Sequence, residues 1–149
     1  MKITNYIVCV FVLFVMTAPS PLWAKSNDAH ISLIVSREAG GSINKESKES
    51  LRTLAQMARK NGYMRVWVTL DIPYDPFLAE RSEQGAAVQQ ERLDGLFDQV
   101  LNPMLADGEV QYENGKREYR GPSLLLKVTR RGLFRLVDDR RVGQLVGVP

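Results

Sequence analysis

The stretch Gly121–Val148, GPSLLLKVTRRGLFRLVDDRRVGQLVGV, constrains the fold more than any other, because it reads as strand, short helix and strand with no spare residues between. Leu124, Leu126 and Val128 alternate with Leu125 and Lys127, the period of a strand with one side buried. Thr129 is placed to cap a helix through its hydroxyl, and Leu133, Leu136 and Val137 follow at helical spacing. Asp138-Asp139-Arg140-Arg141 is too polar to extend that stripe. Val142–Val148, rich in Val and Leu with Gly143 and Gly147, then predicts a second strand. A unit this tight is expected to close by a right-handed crossover with its two strands parallel.

The segments upstream supply what this unit lacks. Over residues 46–61, Leu51, Leu54, Ala55 and Ala58 recur at helical spacing, basic residues gather at the end and Gly62 follows, the pattern of a helix with its C-terminal cap. Met64–Leu70 alternates: Val66, Val68 and Leu70 point one way, Arg65, Trp67 and Thr69 the other. Residues 71–84 contain Pro73 and Pro76 and read as a loop. From about Glu83, Val88, Leu93, Leu96, Phe97, Val100 and Leu101 form a broad apolar stripe, with Pro103 marking the region where the helix ends. Between Val110 and Tyr119 a strand is expected, and the Asn114-Gly115 turn signal leaves two forms open, one strand or a small hairpin. The order helix, strand, helix, strand, strand, helix, strand predicts an α+β fold: a ferredoxin-like βαββαβ antiparallel sheet with helices on one face, preceded by an extra N-terminal helix.

The first residues belong to a different kind of segment. Lys2, the apolar run Ile7–Met16, then Pro19, Pro21 and the small Ala24 have the layout of a secretory signal peptide, too short for a membrane span. The expected organisation is therefore a signal peptide over 1–24, a flexible lead-in over 25–47 and one domain over 48–149, secreted or periplasmic and without a membrane span when mature. Within the lead-in, Ile31–Val35 is a candidate short extra strand. The only cysteine, Cys9, falls in the leader, so stability must come from a core. A formal charge of +3, with both signs mixed along the chain, makes no case for nucleic acid.

Against that background the series Leu54–Gly62, Met64–Leu70, Gln89–Leu93, Tyr119, Pro122–Val128, Leu133, Leu136, Val142 and Leu145 resembles the subtilisin propeptide-like inhibitor family over roughly residues 51–146. The likeness lies in the spacing of the whole series, above all in the final helix-to-strand turn. What the resemblance implies is a protein that inhibits a subtilisin-like serine protease or assists its folding, here in a free-standing form. It also implies that the open side of the sheet packs on the protease while the segment after the last strand lies along the substrate cleft. Pro-regions of that family carry acidic residues at the end of the last strand; this chain has Val146 and Gly147 there, followed by Val148 and Pro149.

The expected contact surface is the far side of the sheet. If Val66, Val68, Leu70, Leu124, Leu126 and Val128 face the helices, then Arg65, Trp67, Thr69, Leu125 and Lys127 lie opposite, and with Leu145 inward Gln144, Val146 and Val148 join them. Gly147 and Pro149 complete the candidate set through the C-terminal segment. A Trp among aliphatic residues on an uncovered face suits protein binding, whereas the plainer reading is that Ile31–Val35 covers Trp67. The second functional reading is a non-inhibitory envelope module that uses the same face for another partner or for itself.

Little points to catalysis. His30 is the sole histidine, which leaves a Ser-His-Asp triad or a multi-histidine zinc site without its parts, and no cofactor or metal is expected. Asp138-Asp139 and Glu80 with Glu83 read as solvated charges, and Arg130-Arg131 and Arg140-Arg141 as surface or as orientation toward an acidic partner. Nothing in the sequence sets the oligomeric state.

Overall fold

The computed structural model describes residues 33–38 and 41–148. The segment expected to be a signal peptide, with Cys9, as well as His30 and Pro149, lies outside the described residues, so expectations that fall on them have no structural counterpart. Among the described residues the fold is mixed α+β, a six-stranded antiparallel sheet with four α-helices. In chain order it consists of β1 (Ile34–Ser36), α1 (Lys45–Asn61), β2 (Met64–Leu70), α2 (Leu78–Arg81), α3 (Glu83–Ala106), β3 (Val110–Tyr112), β4 (Tyr119–Arg120), β5 (Ser123–Val128), α4 (Arg130–Asp138) and β6 (Val142–Val148). The strands lie side by side as β1-β6-β2-β5-β3, with β4 also paired to β5.

The C-terminal unit explains this order. Thr129 caps α4 by accepting the Gly132 N–H at 3.2 Å, and the helix brings the chain back two positions away from its starting strand, on the far side of β2. β5 and β6 each pair antiparallel with β2, so they run parallel to each other with β2 between them. The register fixes the faces. Val66 and Val68 stand beside Leu126 and Leu124 on one side and beside Gly147 and Leu145 on the other, and a shift between Thr69 and Leu70 then brings Leu70 against Val142. These even-numbered β2 side chains form one cluster with Leu54 from α1, Phe97 from α3 and Leu133 from α4.

Two contacts show how closely the helices approach the sheet. A Cβ on Gly147 would lie 2.6 Å from Leu54 Cδ2, and one on Gly132 would lie 2.5 Å from the Glu109 carbonyl oxygen. Gly132 needs to lack a side chain because the Glu109 carbonyl and Val128 Cγ1 occupy the space a methyl group would take, whereas at Gly147 a methyl group would have to displace the end of the Leu54 side chain.

Three expectations change. Part of the stretch expected as a flexible lead-in has fixed partners: β1 pairs with β6, Val35 is buried, and the Ser36 N–H donates to the Ser47 hydroxyl at 3.1 Å. The Arg37 guanidinium reaches the carbonyls of Val137 and Asp139, tying this edge to the end of α4. The loop over 71–84 contains one helical turn, α2. The Asp75 N–H donates to Gln89 Oε1 at 3.0 Å, Gln89 Nε2 donates back to the Asp75 carbonyl at 3.1 Å, and the Asp75 carboxylate accepts from the Phe77 N–H. Finally, α3 runs past Pro103 to Ala106, since burial of Val100, Leu101 and Met104 holds the last turn where proline removes a backbone donor.

Asn114-Gly115 behaves as turn chemistry demands, with both residues at positive φ, 53° and 72°. The flanking segments, however, do not pair with each other. β3 pairs with Leu126–Val128 and β4 with Ser123–Leu124, so residues 113–118 form an excursion from the sheet edge opposite Leu125 alone. The Leu125 N–H donates to the Glu118 carbonyl at 3.0 Å and ties the excursion back.

Candidate docking face of the sheet

The odd-numbered side chains of β2 point away from the core cluster, and the register arranges their neighbours in three rows across the strands. The middle row runs Ile34, Val146, Trp67, Leu125. On one side of it lie Val148, Arg65, Lys127 and Gln111; on the other lie Ser36, Gln144, Thr69, Ser123 and Arg120. At a strand spacing of about 4.8 Å the apolar row is on the order of 15 Å long. Leu125 is buried, yet it stands outside the helix-side cluster, which marks this row as a separate apolar feature. Thr69 and Ser123 hydroxyls meet at 2.7 Å and satisfy each other in the third row.

Of the ten candidate residues, eight lie together. Arg65, Trp67, Thr69, Leu125, Lys127, Gln144, Val146 and Val148 share this outer face, and all except the buried Leu125 are half-buried. Gly147 does not belong to it. Its register partner is Val66 and a side chain there would strike Leu54, so it faces α1 rather than a partner. Pro149 is outside the described residues.

The N-terminal segment does not cover Trp67 with Ile34 or Val35. β1 extends the sheet sideways instead, burying Val35 among the helices and adding Ile34, 39% exposed, to the apolar row. That placement has a second consequence. Along Gln144–Val146, β6 is paired with β1 on one side and β2 on the other, so no free edge remains for pairing with an extended cleft.

Sequence reasoning missed Glu113, Arg120 and Tyr63. Glu113 approaches from the excursion and pairs with both cations of the first row, 3.4 Å from Arg65 Nε and 3.9 Å from Lys127 Nζ. Among the described residues Arg65 Nε and Glu113 Oε2 have no hydrogen-bond partner, so the first of these contacts is a charge pairing without hydrogen-bond alignment. Arg120 lies with its guanidinium carbon 5.1 Å from the Trp67 ring centre, and Lys127 Nζ is 5.4 Å from the ring of Tyr63, itself 46% exposed. Such cation–ring contacts are worth roughly 0.5–1 kcal/mol at exposed sites. Only the register of a short strand past a turn places Arg120 here, and no local periodicity carries that information.

The excursion that supplies Glu113, and the start of β4 after it, are pinned to α3. Arg117 donates to Asp94 at 2.9 Å and to Asp98, while the Tyr119 hydroxyl donates to Asp94 and its ring packs 5.8 Å from Phe97. Burial alone would raise the Asp94 carboxyl, but the hydrogen bonds from Tyr119 and Arg117 outweigh it and hold the group below its ordinary value. Burial, followed by the hydrogen bond to Asp94, pushes the Tyr119 hydroxyl up to about 12.

Several charges outside the face pair with one another. The carboxylate of Glu109, only 6% exposed, takes a hydrogen bond from Arg135 at 2.6 Å, and Arg131 Nε lies 2.7 Å from its other oxygen without hydrogen-bond alignment. Asp139 accepts from the guanidinium and N–H of Arg141, and that guanidinium holds its carboxyl low. Among the described residues no three His, Cys, Asp or Glu side chains converge as a metal ion requires, and no helix is long and apolar enough to cross a membrane. Comparison of the chain with protein-family models, curated proteins and solved structures returned no match.

Proposed function

We propose that the chain is an exported inhibitor, folding chaperone or both of a subtilisin-like serine protease, secreted or periplasmic, and that it docks on the enzyme through the outer face of its sheet. In this reading β2, α3, β3 with β4, β5, α4 and β6 form the ferredoxin-like βαββαβ core, with β1 and α1 as N-terminal additions. The strand order β6-β2-β5-β3 supports the core, and the spacing series over residues 51–146 supports the family. One observation carries the functional reading: the row Ile34, Val146, Trp67, Leu125 lies opposite the helices and is framed by cations. A half-buried Trp at the centre of such a row is the kind of anchor that dominates interface energetics.

The second reading, a non-inhibitory envelope module, is favoured by the pairing of β6 on both edges, which leaves Gln144–Val146 nothing to offer a substrate cleft. The two readings separate in one experiment. The full chain and its Trp67→Asp variant are assayed against a panel of subtilisin-type proteases at micromolar protein, with oligomeric state followed by light scattering. Slowed hydrolysis that Trp67→Asp abolishes supports the inhibitor. Loss of self-association in the variant with no effect on any protease supports the module.

A further inference from the structure

We infer that the surface this face recognises is acidic, with carboxylates on both flanks of an apolar centre. The inference rests on the docking reading for its location but not on the identity of the partner. Three cations, Arg65, Lys127 and Arg120, border the apolar row, and Glu113 is the acid that reaches the first two. Glu113 is shared between Arg65 and Lys127 at 3.4 Å and 3.9 Å, so one negative charge answers two positive ones. Arg120 has no carboxylate partner among the described residues; it is held by the Trp67 ring, which leaves its N–H donors free for an incoming acceptor. A guanidinium held against an aromatic ring keeps its N–H donors and is suited to a carboxylate that docks beside that ring.

The spacing adds to the charge. Arg65 sits two residues from Trp67 on β2, and Arg120 belongs to the row of Thr69, two residues beyond Trp67 in the other direction. Two residues of strand are about 7 Å, so Arg65 and the row that carries Arg120 are about 14 Å apart along the strands, with the Trp67 and Leu125 side chains between them. The complementary surface therefore presents an apolar projection with acidic groups on either side. Glu113 competes with that surface for Arg65 and Lys127, so its removal strengthens binding. A purely structural role for Glu113 predicts the reverse.

The test uses the full chain and two synthetic peptides that share a Leu-Phe centre, one flanked by Glu pairs and the other by Lys pairs. Binding is followed by the NMR shifts of the Trp67 indole N–H and the Arg120 side chain. The Glu peptide is expected to bind about tenfold more tightly than the Lys peptide, the sum of two partly exposed ion pairs. Arg120→Glu combined with Lys127→Glu reverses the preference, and Glu113→Gln tightens the Glu peptide severalfold. Equal affinities, a preference for the Lys peptide or no shift at Trp67 overturns the inference. Inhibition of a subtilisin-type protease that ignores these charge changes also overturns it while leaving the docking reading intact. Selective binding of the Glu peptide without inhibition of any protease leaves the inference standing and removes the protease.

Discussion

The two faces of this sheet are built from alternate residues of the same strands and differ in what holds their side chains. On the helix side, Val66, Val68, Leu124, Leu126 and Leu145 are almost completely inaccessible and packed against three helices. On the outer side, Trp67, Val146 and Lys127 are half-buried, and their neighbours are mostly other residues of the sheet itself. A face that a fold needs is closed by its own elements; among the described residues no helix of the core cluster covers the aromatic, aliphatic and cationic residues of the outer face, and docking there is proposed on that difference. Mutations on the two faces should therefore register in different measurements.

The largest effect is expected on the helix side. Phe97→Ala removes a fully buried ring that packs against Tyr119, and should cost about 3–5 kcal/mol in urea unfolding. Gly132→Ala should follow at about 1–3 kcal/mol, because its new methyl group meets the backbone carbonyl of Glu109, which cannot swing aside as a side-chain end would. If either change left unfolding untouched but altered partner binding, the division between the faces would be wrong.

On the outer side the order reverses. Trp67→Ala is expected to weaken binding to the partner by about 2 kcal/mol, roughly thirtyfold, while moving the unfolding free energy by less than about 1 kcal/mol. Inhibition constants and urea curves on the same preparation decide the matter. A variant that unfolds easily and binds poorly in proportion would make Trp67 a stability residue and erase the contrast.

Much of this arrangement was legible in the sequence where one period ran undisturbed. Met64–Leu70 alternates without interruption, so the faces of Arg65, Trp67 and Thr69 could be assigned residue by residue. In β6 the same rule worked for Gln144, Val146 and Val148, but it also shows why Gly147 was misplaced: grouping it with the tail ignored the alternation that puts it beneath α1. Glu113 and Arg120 were not legible, because six residues stand opposite one at Leu125 and their number does not say where the chain rejoins the edge. The helical turn at Leu78 and the continuation past Pro103 depend on tertiary partners, Gln89 in one case and the core around Met104 in the other. Local propensity contains neither.

The smallest effect tests how α3 holds the excursion that equips the outer face. Asp94 titrates below its ordinary value of 3.8, so its contribution is present above that pH and disappears as pH falls through the lower folded value. Tyr119 is raised from 10.0 to about 12, so its contribution is present below pH 10 and is lost as pH rises through 12. Tyr119→Phe removes a donor from Asp94 and the titrating hydroxyl together. It should flatten the alkaline limb of a melting temperature versus pH curve and shift the acid limb upward by a fraction of a pH unit. Arg117 still holds Asp94 and Asp98, so the excursion stays in place at neutral pH and partner binding should change little. A large loss of binding at neutral pH would show instead that the Tyr119 hydroxyl, acting through β4, sets the position of Arg120, and the two faces would then be coupled through the edge of the sheet.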